Sequence, residues 1–563
     1  MNRVVLQYDQ LAVTYADGAQ AVRGVSFSLC AGECLALVGE SGCGKTTIAR
    51  AALGLLPSSA AVVGSIRLSE NEVVGAPPET IRTLRGLVAG FVAQNPFEAC
   101  NPLDRVALHV AEAWRAHRQV PPSGRISATL GALGIANPAQ QLRRYPHQWS
   151  GGMLQRATIA AAAAHRPLLL IADEPTSALD ADRADATLAA LRATGAAVLL
   201  VSHDIGVVAR HADRIAVCYA GRIVELGTSS EILARPRHPY TRALLAATPR
   251  CAQGMPTPLA GAPPRLTDPI SGCAFAPRCT LAQPACHQHD PPLRAGVACP
   301  ILGPDAVPAP AIQQPETHTA RPAAARSAAP EIIVEARQVA QRYGQGGQAV
   351  HAVRQASLAV RRGEIVGIAG PSGCGKSTLL RLLATIETPS GGEVWLGGEL
   401  ASRAGSHRPL SRLARSGFVM PIFQDPIGSL DLRWAIWRSI TEPLSAPHRA
   451  DRPRPAQRRS IAREHLAAVG LSHIDIEARP TEISIGQCQR VAIARALCAA
   501  PGLIVADEPT SALDASVAAA ILHLLAATAR SGTAIVIVSH DWALLDVLCD
   551  RVLTMSDGIL TGA

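Results

Sequence analysis

Aromatic residues make up only 3% of this 563-residue chain, and charged residues only 17%. A core so poor in rings has to be built from Ala, Leu, Val and Ile; apolar types together reach 48%. Such a composition excludes a disordered acidic or basic tail. Long hydrophobic runs are missing as well. No stretch of about 18 apolar residues passes without a charge, which excludes a membrane-spanning helix. The run from Ile159 to Ala164, for example, is stopped by His165 and Arg166. The opening MNRVVLQYDQ has no signal-peptide core. The expectation is a cytoplasmic protein whose 14 cysteines are mostly reduced thiols or metal ligands. No C-x2-C pair occurs, so the usual zinc-ribbon spacing is excluded. Lys+Arg 53 against Asp+Glu 44 gives +9, which suits an anionic partner such as a nucleotide or a membrane surface, or simply a basic exterior.

What the chain does have is two copies of everything informative. GESGCGKTT begins at Gly39 and GPSGCGKST at Gly370; ADEPTSALDA begins at Ala172 and again at Ala506; VSHD begins at Val201 and at Val538. The same elements in the same order indicate duplication or fusion of one domain type rather than a short-period repeat. Residues 304–331 are rich in Pro and Ala and read as an extended linker. The expected organisation is a first domain over 1–250, a Cys-rich extension over 251–303, the linker, and a second domain over 332–563. In each half, apolar segments such as CLALVGE, LLLIADE and AAVLLVSHD end in Gly, acid or His. Apolar strands alternating with helices predict an α/β fold with a parallel sheet covered on both faces. Working residues then gather at the carboxyl ends of the strands.

The glycine-rich segments have the spacing of a phosphate-binding loop. The first comprises Gly39, Glu40, Ser41, Gly42, Cys43, Gly44, Lys45, Thr46 and Thr47; the second comprises Gly370, Pro371, Ser372, Gly373, Cys374, Gly375, Lys376, Ser377 and Thr378. Glycines let backbone N–H groups converge on phosphate oxygens at a helix N-terminus. Lys45 and Lys376 supply charge to the outer phosphates, and Thr46 and Ser377 a hydroxyl to Mg²⁺. Asp173 and Asp507 end apolar strands and suit the Mg²⁺ shell. Glu174 and Glu508 follow them and suit a water-polarising base. Phosphoryl transfer asks for little more than this positioning and charge neutralisation.

Together these motifs resemble the nucleotide-binding domains of the ABC ATPase family, over nearly all of residues 1–250 and 332–563. The fold implied is two P-loop NTPase domains of the ABC type in tandem, with ATP and Mg²⁺ as cofactors. The resemblance makes Gln94 and Gln424 the Q-loop glutamines, His203 and His540 the switch histidines, and Asp180 and Asp514 the D-loop acids. It places the signature at Ser150, Gly151, Gly152 and Met153 and at Ser484, Ile485, Gly486 and Gln487. Tyr15 and Tyr343 fall where the family stacks an aromatic on adenine. It also implies that each ATP lies between one half's phosphate loop and the other half's signature. Ile485 departs from the family's Gly: a β-branched side chain restricts φ and ψ, and it occupies space where backbone must approach the γ-phosphate closely. Met153 departs from the family's Gln, and unequal ATP sites are expected.

The string RHPYTRALL from Arg237, with NPL at Asn101 and SLDLRW at Ser429, is similar to the dipeptide, oligopeptide and nickel importer ATPases. Taken alone, RHPYTRALL reads as a Pro-started helix without chemistry. Cys273, Cys279, Cys286 and Cys299 follow with spacing C-x5-C-x6-C-x12-C. Thiolates suit zinc or an iron–sulfur cluster, and four of them would staple a module too small to hold itself by core burial. The importer resemblance implies a [4Fe–4S] cluster, with zinc, aided by His287 or His289, as the alternative. It further implies an ATPase peripheral to the cytoplasmic face of the inner membrane, two integral-membrane permeases and an external solute-binding protein. No nucleic acid is expected. The solute stays open among dipeptides, glutathione-like peptides, opines and nickel chelates. The rival reading is a soluble twin ATPase acting on ribosomes or nucleic acid.

Overall fold

A computed structural model describes residues 3–176, 181–249, 254–301, 331–344, 349–406, 410–446, 453–511 and 513–562. The chain divides into two compact units, Met1–Thr248 with Leu259–Gln313, and Pro249–Pro258 with Gln314–Ala563. From Leu259 onward, with all four of its clustered cysteines, the Cys-rich extension therefore belongs with the first unit. Apart from Glu331, the expected linker lies outside the described residues.

In the first unit a six-stranded sheet runs in the order Arg222–Thr228, Arg214–Tyr219, Cys34–Val38, Ala197–Val201, Leu169–Asp173, Ala89–Val92. All neighbours are parallel except the first pair. The three central strands are buried at every position, because both faces of the sheet are covered and leave no side for alternating polar residues. The second unit repeats the order with Ile365–Ala369 between Ala534–Val538 and Arg551–Ser556.

Each unit also carries a four-stranded antiparallel sheet, which the sequence reading did not anticipate. Its strands in the first unit are Gln20–Cys30, Val4–Thr14, Ala61–Leu68 and Asn71–Glu72. A third layer is helical. In the first unit Val106, Val110 and Trp114 pack with Leu130, Leu154 and Ala157 as a separate small core. This layer sits in the chain between Gln94 and the strand Leu169–Asp173, and it carries the Ser150 signature.

The extension is stitched to the edge of the first sheet. Ala298 N–H donates to Val224 O at 2.8 Å, and Leu226 N–H donates to Gly296 O at 2.8 Å. Among the described residues no helix is long and apolar enough to cross a membrane.

Candidate nucleotide sites

Both phosphate loops join a buried strand to a helix that starts at the lysine, Lys45–Ala51 in one unit and Lys376–Leu383 in the other. Gly44 and Gly375 sit at φ +99° and +108°, and a Cβ there would come within 2.2 Å of Ala21 O and 1.9 Å of Ala352 O. Only glycine gives the loop this curl and lets it press so closely on a neighbouring strand. The lysine then folds back under its own loop. Lys45 Nζ donates to Gly39 O at 2.8 Å and Glu40 O at 2.9 Å. Lys376 Nζ does the same to Gly370 O at 2.7 Å and Pro371 O at 2.8 Å. Cys43 and Cys374 are buried beneath these lysines.

The metal-type oxygens meet as expected. Thr46 Oγ1 donates to Asp173 Oδ1 at 3.0 Å, and Asp173 is only 2% exposed. Ser377 is hydrogen-bonded to Asp507 in the same way. Burial raises the Asp173 carboxyl above its ordinary range, against the Thr46 hydrogen bond and the Arg50 charge; burial raises Asp507 likewise. A hydroxyl beside a desolvated carboxylate is a hard-oxygen pair that fits Mg²⁺, and a bound cation would hold the carboxylate ionised and neutralise phosphate charge.

Glu174 and Glu508 both stand at positive φ, +47° and +48°, with their N–H groups donated to Val201 O and Val538 O at 2.9 Å each. This unusual backbone turns each carboxylate toward its glutamine and histidine. Gln94 Nε2 donates to Glu174 Oε2 at 2.9 Å, and His203 Nδ1 lies 3.3 Å from the same oxygen. In the second unit Gln424 Nε2 reaches Glu508 Oε2 at 3.2 Å and His540 Nδ1 lies 2.9 Å from Oε1. Burial pushes the Glu174 carboxyl up, but the His203 hydrogen bond and charge outweigh it and leave it below its usual range. Burial pulls His203 down, and the Glu174 hydrogen bond and charge outweigh that too, leaving it raised.

Ser150 and Ser484 cap the signature helices Gly151–Ala162 and Ile485–Cys498, each hydroxyl accepting the N–H three residues on. Gln487 returns the favour to Ser484 N–H at 2.8 Å; Met153 has no amide with which to do so. Tyr15 Oη lies 3.1 Å from Thr47 Oγ1, and Tyr343 Oη donates to Glu387. Asp514 caps the helix Ala515–Arg530; Asp180 lies outside the described residues.

The pattern of the ABC transporter family matches residues 22–177 and 353–511. The chain belongs to that family. The pattern of the oligopeptide/dipeptide transporter C-terminal region matches residues 224–286. The oligopeptide transport ATP-binding protein OppD of Mycobacterium bovis is 39% identical, covering 98% of this chain and 94% of that protein. The glutathione import ATP-binding protein GsiA of Pectobacterium atrosepticum is 34% identical, covering 98% of this chain and 85% of that protein. Among solved structures, the RNase-L Inhibitor matches 98% of this chain and 89% of its own, with a TM-score of 0.56 at 19% identity, a likeness of fold alone.

Two parts of this ABC ATPase differ from the sequence reading. Among the described residues no group of three or more His, Cys, Asp or Glu side chains is drawn tightly enough to hold a metal ion, although Cys286 and Cys299 lie near enough to Cys273 and Cys279 to act on both thiols electrostatically. Three of the sulfurs accept backbone N–H groups within the loop: Cys273 from Phe275 and Ala276, Cys279 from Leu281, and Cys286 from Gln283 at 3.5 Å. Burial raises the Cys273 and Cys279 thiols. The second difference is that RHPYTRALL does reach the site. Glu225 accepts the N–H groups of Arg237 and His238 at 2.8 and 2.9 Å and seats the helix Pro239–Ala246. Tyr240 Oη then accepts the N–H of Glu40 at 2.9 Å. The Glu40 carboxylate is held by Arg278, a residue the sequence reading missed. The available signal was an acid inside a loop meant for phosphates, which calls for a compensating cation.

Proposed function

We propose that this chain is the ATP-hydrolysing subunit of an importer for peptides or related small solutes, peripheral to the cytoplasmic face of the inner membrane. Two permease subunits and an external solute-binding protein would complete it. The observation that carries the reading is that one chain holds two full sets of lysine, hydroxyl, paired acids, glutamine and histidine, and joins to the first set an importer-type extension. The relatives named for oligopeptide transport and glutathione import support small peptides as the solute. In hydrolysis, Lys45 and Lys376 would bind the outer phosphates. Glu174 and Glu508 would orient water, steadied by Gln94 with His203 and by Gln424 with His540. Mg²⁺, held at Thr46 with Asp173 and at Ser377 with Asp507, would offset phosphate charge.

The test is reconstitution with candidate permeases and a candidate solute-binding protein from the same genome. ATP-driven uptake of a labelled small peptide into vesicles is expected, with the chain recovered in the membrane fraction only when the permeases are present. Recovery on ribosomes, with none on membranes, would overturn the reading in favour of a soluble twin ATPase.

Cys273, Cys279, Cys286 and Cys299 are proposed to hold a [4Fe–4S] cluster of structural role. An all-thiol donor set on one short loop supports this, as does the approach of Cys286 and Cys299 to Cys273 and Cys279. Anaerobically purified protein is expected to contain iron and acid-labile sulfide, both lost in Cys279→Ser or Cys286→Ser. Stoichiometric zinc without iron would refute the cluster.

A further inference from the structure

Glu40 is the second residue of the first phosphate loop, and its carboxylate is buried. Arg278 Nη1 donates to Glu40 Oε2 at 2.7 Å and Arg278 Nη2 to Oε1 at 3.0 Å, with the two side chains 4% and 5% exposed. This is a two-pronged pair in which each oxygen has its own donor. The guanidinium has further acceptors: Nη1 reaches Tyr219 Oη at 3.2 Å, and Nε donates to Ala260 O at 2.9 Å. The rings of Tyr219, Tyr240 and Phe275 pack beside the pair with centroids 4.5 to 5.4 Å apart and keep water away. Arg278 lies in the extension, 238 residues from Glu40 in sequence.

The second phosphate loop supplies the comparison. Its corresponding residue is Pro371, which carries no charge, and Lys376 nevertheless reaches Gly370 O and Pro371 O as Lys45 reaches Gly39 O and Glu40 O. Neither the loop's path nor the lysine's seat therefore requires an acid at this position. An acid there places a negative charge on the residue whose carbonyl holds Lys45, where a polyphosphate is to bind. Left unpaired, it would repel the nucleotide and draw the lysine.

We propose that Arg278 is a positioning residue for the Lys45 site: it neutralises and fixes Glu40, and so makes ATP affinity at the first phosphate loop, and not at the second, depend on the extension. The proposal rests on reading both loops as ATP sites. Breaking the pair by removing Arg278 leaves a buried charge, whereas removing both members leaves none. Loss followed by rescue is the signature that distinguishes charge compensation from scaffolding.

Lys45 and Lys376 are the only lysines in the chain, so an amine-reactive acetylating reagent reports each loop separately by peptide mass spectrometry. Protection of each lysine is followed in the full-length protein against increasing Mg²⁺ and a non-hydrolysable ATP analogue. Arg278→Gln is expected to raise the half-protecting concentration at Lys45 by about tenfold or more, with Lys376 unchanged. Adding Glu40→Gln is expected to restore Lys45 to within about threefold of the parent. Arg278→Lys, which keeps the charge and loses the fork, should fall between the two and covers the case in which Arg278→Gln does not fold. Equal loss at both lysines, or a double variant as weak as the single one, would overturn the proposal. No protection at either lysine in the parent would instead refute the loops as ATP sites.

Discussion

Replacing both Glu174 and Glu508 by Gln is expected to leave the chain binding ATP with affinity unchanged to within about threefold while hydrolysis falls by about 100-fold or more. The two measurements separate because the groups involved are separate. The phosphate cradle consists of loop backbone and Lys45 or Lys376, and neither lysine is hydrogen-bonded to the glutamates. The substituted carboxylate is instead the acceptor for Gln94 and His203 in one unit and for Gln424 and His540 in the other. Glutamine preserves the shape and removes the basic oxygen that orients water. Lys45→Ala with Lys376→Ala should show the opposite pattern, losing nucleotide binding itself. Equilibrium binding of a labelled ATP analogue, with steady-state phosphate release alongside it, checks both expectations. Unchanged turnover in the double glutamate variant would remove these residues from the mechanism.

A histidine titration gives an independent readout at the first site. The Glu174 carboxyl lies below its ordinary 4.5 and His203 above its ordinary 6.5. Glu174 therefore contributes stability that is present above the unfolded value and lost as pH falls through the lowered one. His203 contributes stability that is present below its unfolded value and lost as pH rises through the raised one. The pair is charged on both sides between those limits. Glu174→Gln removes the upward pull, so the His203 resonance should titrate at lower pH than in the parent.

The grouping of residues at the candidate nucleotide sites was legible because its pieces are local. A phosphate loop, a strand ending in two acids and a strand ending in His each occupy ten residues or fewer, and a parallel sheet brings strand ends together wherever they lie in sequence. The antiparallel sheet was not legible. The strand Val4–Thr14 slips register between Tyr8 and Leu11, where Gln10 has φ +48°, and Ile332–Tyr343 slips between Ala336 and Val339, where Gln338 has φ +47°. A bulge breaks the two-residue alternation by which a half-buried strand is recognised. Arg278 was missed for another reason: a buried ion pair between segments so far apart leaves no periodicity. Its trace is compositional, Glu40 in one loop against Pro371 in the other.

The signatures show the limit of reading a departure from a family pattern as backbone strain. Ile485 was expected to be awkward partly because a β-branched residue restricts φ and ψ. The backbone does not bear this out. Ser150 and Ser484 have nearly the same geometry, φ −70° with ψ 155° and 161°, and Ile485 begins an ordinary helix. Gly151 has no positive φ, and a Cβ added to it would meet Phe97 at 3.8 Å, an ordinary contact. Nothing in its own unit demands glycine at this place. The second reason survives. Ile485 is 55% exposed at the first turn of its helix, where free N–H groups and the helix dipole would receive a phosphate. A branched side chain there stands in the path of an approaching γ-phosphate, whereas Gly151 leaves it open. If each ATP lies between one half's phosphate loop and the other half's signature, as the family resemblance implies, the Lys45 site would take its signature from Ser484-Ile485-Gly486-Gln487, and the Lys376 site from Ser150-Gly151-Gly152-Met153. Glu508→Gln is therefore expected to remove most of the hydrolysis, and Glu174→Gln a smaller share. Ile485→Gly should raise the share that depends on Glu174, because both Glu174 and His203 are in place to use it. Single-variant turnover, with and without Ile485→Gly, measures the two shares. Equal losses from the two glutamate variants, with no gain from Ile485→Gly, would show that the isoleucine is accommodated and both sites hydrolyse alike.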